Sequence, residues 1–126
     1  MDLLLDTHAF IWWDSRDPSL GAAASAAIAD PENRIFVSAA VVWEIAIKVR
    51  LGRLDFTGSP SGAVASNGFT TLPILAEQTE AAAALPAVHQ DPFDRILIAQ
   101  ALARRLVLVT ADRKIRQYDV PVLWAR

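Results

Sequence analysis

The sequence contains no cysteine. That absence excludes disulfide frameworks, thiolate zinc sites and cysteine nucleophiles together, and it suits a reducing compartment as well as any other. A strong charge of either sign is also missing: 12 Lys and Arg stand against 14 Asp and Glu, a formal net charge of −2. So small an imbalance cannot steer the whole molecule toward a polyanion, and any nucleic acid would have to be held by a local site. Nowhere do about 18 apolar residues run uninterrupted, as a membrane span requires. The start, Met1-Asp2-Leu3-Leu4-Leu5-Asp6, lacks the basic n-region of a signal peptide, so a cytoplasmic protein with no membrane association is expected. What is abundant is apolar material: 53% of the 126 residues are hydrophobic and 21% are charged, which excludes a disordered chain and fits one domain, residues 1–126, with a real core. Tryptophans at 12, 13, 43 and 124 suit either a well-filled core or a face reserved for a partner.

Short apolar runs alternate with helical segments along the chain. Leu3–Leu5 reads as a strand closed by Asp6, and His8–Trp13 as a helix ended by Asp14-Ser15-Arg16-Asp17-Pro18. Ser19 is placed to cap an Ala-rich helix through Ala29. Arg34–Val37 is a strand, and Ser38 caps a helix from Ala39 to Leu51 with Gly52 beyond its end. Arg53–Gly68 reads as a loop with one weak helix, Thr70–Ile74 as a strand and Glu77–Leu85 as a helix. Asp91-Pro92 supplies an N-cap and a first-turn proline for a helix to Arg105. Leu106–Thr110, Asp112–Tyr118 and Pro121–Trp124 complete the pattern as strand, short helix and strand. Continuous apolar strands separated by helices imply a three-layer α/β/α sandwich around a parallel sheet.

Ligands of such sheets gather beyond the carboxyl ends of the strands. Asp6 ends the first strand, Asp94 lies in the first turn of the helix beginning at Pro92, and Asp112 follows the strand ending at Thr110, so all three are expected at one rim. Glu44 lies mid-helix with Lys48 one turn on, which also fits an ordinary surface pair. Each acid singly has a plain explanation as turn former, helix-dipole partner or cap. Together at one rim they would repel unless cations sat among them. With no thiolate available, the fitting ions are Mg²⁺ or Mn²⁺, which imply a phosphodiester or phosphoryl substrate and metal-assisted hydrolysis.

Four segments carry a further signal: Leu3-Leu4-Leu5-Asp6-Thr7-His8, Val37-Ser38-Ala39-Ala40-Val41-Val42-Trp43-Glu44-Ile45, Asp91-Pro92-Phe93-Asp94-Arg95-Ile96-Leu97-Ile98-Ala99-Gln100-Ala101 and Leu108-Val109-Thr110-Ala111-Asp112. In this order they resemble the PIN-domain ribonucleases, and within those the VapC-type toxins of toxin–antitoxin pairs. The resemblance implies a Mg²⁺-dependent endoribonuclease, silenced by a VapB-type antitoxin and generally dimeric. It assigns Asp6, Glu44, Asp94 and Asp112 to the acidic quartet, with Asp6 and Asp94 foremost as metal ligands, and Thr7 and Thr110 to hydroxyl positions beside it. Asp91 is taken as a cap, and His8 and His89 as structural or surface residues, because Mg²⁺ prefers oxygen. RNA phosphates need cations, and Arg95 and Arg113 each adjoin a site acid in a C-terminal third rich in basic residues. Trp12-Trp13 and residues 53–68 are candidate contacts for an antitoxin or second subunit. Two other readings are a phosphatase of the haloacid-dehalogenase kind and a non-enzymatic partner-binding domain. The first expects an acid two residues after the leading Asp, where this chain has His8; the second leaves the grouping of four acids without a reason.

Overall fold

The structure is a computed structural model that describes residues 1–126. Five strands, β1 (Asp2–Leu5), β2 (Arg34–Ser38), β3 (Thr70–Leu72), β4 (Val107–Thr110) and β5 (Val122–Trp124), form one sheet in the order β3-β2-β1-β4-β5. Every neighbouring pair is parallel, with Leu4 beside Phe36 on one flank and Leu108 on the other. Leu3, Leu4 and Leu5 are all fully buried although successive side chains point to opposite faces, so the sheet is covered on both.

The covering helices are α1 (Thr7–Asp14), α2 (Ala22–Ala29), α3 (Ala39–Arg50), α4 (Pro60–Ser66), α5 (Ala76–Ala84) and α6 (Pro92–Arg104). Together with the sheet they make the expected α/β/α sandwich. None is long and apolar enough to cross a membrane. Ser38 caps α3 by accepting from the Ala40 amide, Gly52 follows it at φ +70°, and Asp91 caps α6 by accepting from Phe93 and Asp94. The weak helix expected within 53–68 is α4, opened by the Ser59 cap and Pro60.

Two expectations shift. Ser19 does not cap α2, because its amide is drawn into a turn with the Asp17 carboxylate, and the helix starts after Gly21 instead. The helix expected over Asp112–Tyr118 shrinks to a 3₁₀ turn at Ile115–Gln117, since Asp112 spends Oδ1 on the Lys114 amide. Trp12 and Trp13 pack against the core, and the Trp13 indole N–H donates to Asn67. Trp43 is the exposed tryptophan, 62% accessible and edge-on to Phe93.

Chain order reverses direction at β1: β2 and β3 lie to one side, β4 and β5 to the other. The crevice beyond the carboxyl ends of β1 and β4 is therefore the switch point at which open α/β sheets bind ligands.

Candidate active site

Asp6 leaves β1 in extended conformation and caps α1, its Oδ1 accepting from the Ala9 amide at 2.8 Å. Its Oδ2 accepts from the Thr110 hydroxyl, at the end of β4, at 2.6 Å. That same hydroxyl oxygen accepts from the Asp112 amide at 3.0 Å, so one threonine sets both acids at the switch point. Thr7 turns its hydroxyl to Glu44 Oε1 at 2.5 Å, while Lys48 holds Oε2 at 2.8 Å. Glu44 is thus both things its spacing allowed: the partner of Lys48 and, at 8% exposure, a buried wall of the crevice.

Asp94 lies in the first turn of α6 and faces Asp112 across His89, whose Nε2 stands 2.9 Å from an oxygen of each. On the other side of the ring, Nδ1 faces the Asp91 amide at 3.3 Å and must accept, which assigns the ring proton to Nε2. His89 therefore donates its Nε2–H to Asp112, and the Asp94 carboxylate closes on the same nitrogen without lining up with that N–H. Its backbone is fixed in turn by Tyr118, whose hydroxyl accepts from the His89 amide, and by Arg95, which donates to the His89 carbonyl.

These residues line one cavity of about 400 Å³, which brings together Asp6, Thr7, Glu44, His89, Asp91, Asp94 and Asp112. Thr110 stands behind them, fully buried. Burial drives the Asp6 carboxyl above its ordinary range, against the opposing hydrogen bonds from Thr110 and Ala9. Asp94 is pushed up to about 7, first by burial and then by the negative charges of Asp91, Asp6 and Asp112. Crowded oxygen donors that resist losing their protons are what a divalent cation relieves, and the donor set is hard, so the residues fit Mg²⁺ or Mn²⁺. His89, Asp94 and Asp112 also offer ligand atoms within 4.8 Å of one another. The Nε2 proton, however, makes the imidazole a partner of the acids rather than a ligand.

Two expected residues do not reach the cavity. Arg95 points to the other side of its helix, where Nη1 and Nη2 donate to the carbonyls of Ala82, Ala83, Leu85, Pro86 and His89 and to the Tyr118 hydroxyl. Consecutive helical residues diverge by about 100°, so adjacency to Asp94 did not place Arg95 beside it in space. Arg113 is exposed and lies off the cavity wall. Besides His89, the basic side chains that do line it are His8, Lys48 and Arg126. Neither Arg126 nor the clamp by His89 has a signature in local spacing; the only sequence hint for His89 is its nearness to the Asp91-Pro92 helix start.

The family model described as PIN domain matches residues 3–121. The chain belongs to the PIN-domain family. Among characterised PIN relatives, it is 32% identical to Ribonuclease VapC22 of Mycobacterium tuberculosis over 127 residues, covering 94% of this chain and 93% of that protein. Among solved structures, the PIN fold is shared with VapBC2 from Rickettsia felis bound to a DNA fragment from its promoter (TM-score 0.68, 16% identity, 98% of each chain). It is shared equally with a toxin–antitoxin complex from Klebsiella pneumoniae (TM-score 0.68, 21% identity, 98% of each chain).

Proposed function

We propose that this PIN domain is the toxin of a VapBC-type pair: a Mg²⁺-dependent endoribonuclease held in check by a VapB-type antitoxin. The observation that carries the reading is the convergence of Asp6, Glu44, Asp94 and Asp112 on one cavity at the sheet's switch point. The likeness to Ribonuclease VapC22 over nearly the whole chain supports the choice of RNA as substrate and of an antitoxin as partner. Apolar surface where the exposed Trp43 and Ile74 line one groove with Phe93 and Ile96 supports burial against a second copy or the antitoxin.

In this reading Asp6, Asp94 and Asp112 hold the cation, with Mn²⁺ able to replace Mg²⁺, and Glu44 completes the negative wall. When bound, the cation supplies charge neutralisation at the phosphodiester and activation of water for attack. The chain's own work is positional. Thr110 fixes Asp6 against rotation, Thr7 and Lys48 fix Glu44, and His89 keeps the Asp94 and Asp112 carboxylates turned toward each other. Asp94, poised near neutrality, is the group whose proton must leave before its oxygens can serve as ligands.

The test is cleavage of single-stranded RNA with and without Mg²⁺. Wild-type protein should cut and fall silent in EDTA, while Asp6→Asn and Asp94→Asn should each lose at least 100-fold in rate with the fold intact. Full activity in Asp6→Asn would overturn the assignment.

A further inference from the structure

A nuclease site built from carboxylates still has to hold the rest of a polyanion, and besides His89, which is bound to the acids, the cavity wall offers three basic side chains for it. Lys48 is committed to Glu44 at 2.8 Å. His8 leans on Trp12, ring centroids 5.8 Å apart. Like His8, Arg126 makes no ion pair with any acid of the chain, and it is the one that brings a guanidinium, 5.3 Å over the Trp12 ring.

The position of Arg126 is built. Ala125 is fully buried, its amide donates to the Thr110 carbonyl at 2.8 Å, and its carbonyl accepts from the Gly21 amide at 2.8 Å. Gly21 is required for this seat, because a Cβ there would stand 2.4 Å from the Arg126 carbonyl carbon. The backbone that carries Arg126 is thus anchored to Thr110, the residue that orients Asp6, and its side chain is laid on an indole at the mouth of the acidic cavity.

We propose that Arg126, stacked on Trp12, is a substrate-binding residue that holds an RNA phosphate next to the one being cleaved. The inference rests on the ribonuclease reading and supplies what that reading lacked once Arg95 and Arg113 fell away from the site. A guanidinium is always charged, is weakly hydrated and stacks on aromatic faces while keeping N–H groups for a phosphate, which a lysine does less well. Contacts of this kind position the strand without reading its bases, so the effect should be the same for RNAs of different sequence. Trp12 acts through Arg126 and is a positioning residue.

The experiment measures binding of a fluorescein-labelled single-stranded RNA by anisotropy in the Asp6→Asn background, where the strand survives, at several salt concentrations. Arg126→Ala should weaken binding about 10-fold and flatten the slope of log K against log salt by about 0.7, the share of one phosphate contact on a single strand. Arg126→Lys should recover part of the affinity. Gly21→Ala, which reaches the cavity only through the backbone of residue 126, should reproduce the Arg126→Ala loss by displacing that backbone. In an otherwise wild-type protein, Arg126→Ala should raise KM more than it lowers kcat and leave Mg²⁺ affinity by calorimetry unchanged. RNA that is bound and cut with the same affinity and salt slope in Arg126→Ala overturns the subsite alone. Wild-type protein that neither binds nor cuts RNA overturns the subsite together with the ribonuclease reading.

Discussion

The Thr110 hydroxyl donates to Asp6 Oδ2 at 2.6 Å, joining two residues 104 positions apart at the ends of adjacent parallel strands. Because its oxygen also accepts from the Asp112 amide, this side chain ties the start of the site to its end. Thr110→Val keeps the shape and removes the hydroxyl. It leaves the buried Asp6 carboxylate short of a donor, a loss of about 1–3 kcal/mol, and releases its rotamer. RNA cleavage should fall about 10–100-fold, as when the partner that orients a metal ligand is lost. Urea unfolding and a cleavage time course check both, and Thr110→Ser should restore most of each. A Val variant with unchanged stability and rate would show that the hydroxyl orients nothing.

Asp94 gives a pH dependence whose sign can be worked out. In the folded chain it keeps its proton up to about 7, whereas unfolded it releases it near 3.8. The folded state therefore binds more protons between those values, and the stability this group contributes is full below about 3.8 and is lost as pH rises through 7. In EDTA, the urea midpoint of the wild type should fall relative to Asp94→Asn between pH 4 and 8. Added Mg²⁺ should recover the midpoint chiefly at the upper end, where Asp94 is ionised. Parallel pH profiles for the two proteins in EDTA would contradict this account.

The clamp at His89 separates two roles for one imidazole. If its Nε2–H holds Asp112 in place beside Asp94, His89→Ala should weaken Mg²⁺ binding about 10-fold or more by calorimetry. His89→Gln, which can still present an N–H donor, should recover part of it. Tighter Mg²⁺ binding in His89→Ala would make the histidine a competitor of the cation instead.

How much of this was legible in the sequence depends on whether the deciding partner was near in the chain. The strands could be read because Leu3–Leu5 and Leu106–Thr110 are apolar without alternation, which only a doubly covered sheet demands. Asp6, Asp94 and Asp112 could be placed at one rim from strand ends and a helix start alone. Glu44 could not be settled, because the same i, i+4 relation to Lys48 serves a surface pair and a buried wall; Thr7, 37 residues away, decides between them. Ser19 had the right chemistry for a cap and lost to Asp17, a competitor two residues away. Arg126 was illegible, since its place depends on Gly21 and Trp12 at the far end of the chain.

Arg95 carries the sharpest contrast between neighbourhood in sequence and in space. Lying beside Asp94, it has the look of a phosphate contact, yet both terminal nitrogens are spent on the carbonyls of Ala82, Ala83, Leu85, Pro86 and His89. It closes the carboxyl end of α5, where a cation also meets the negative end of the helix dipole. Removing it leaves these acceptors to water or unpaired and frees the loop that carries His89. Arg95→Ala should therefore cost about 2 kcal/mol of stability and weaken Mg²⁺ binding through His89. It should leave the salt slope of RNA binding as it was, since no phosphate contact is lost. Arg126→Ala should do the reverse, flattening the slope while stability and Mg²⁺ affinity hold. Measuring unfolding, calorimetry and salt-dependent anisotropy on the two variants side by side tests both roles. A flattened slope in Arg95→Ala with stability unchanged would return that arginine to the substrate.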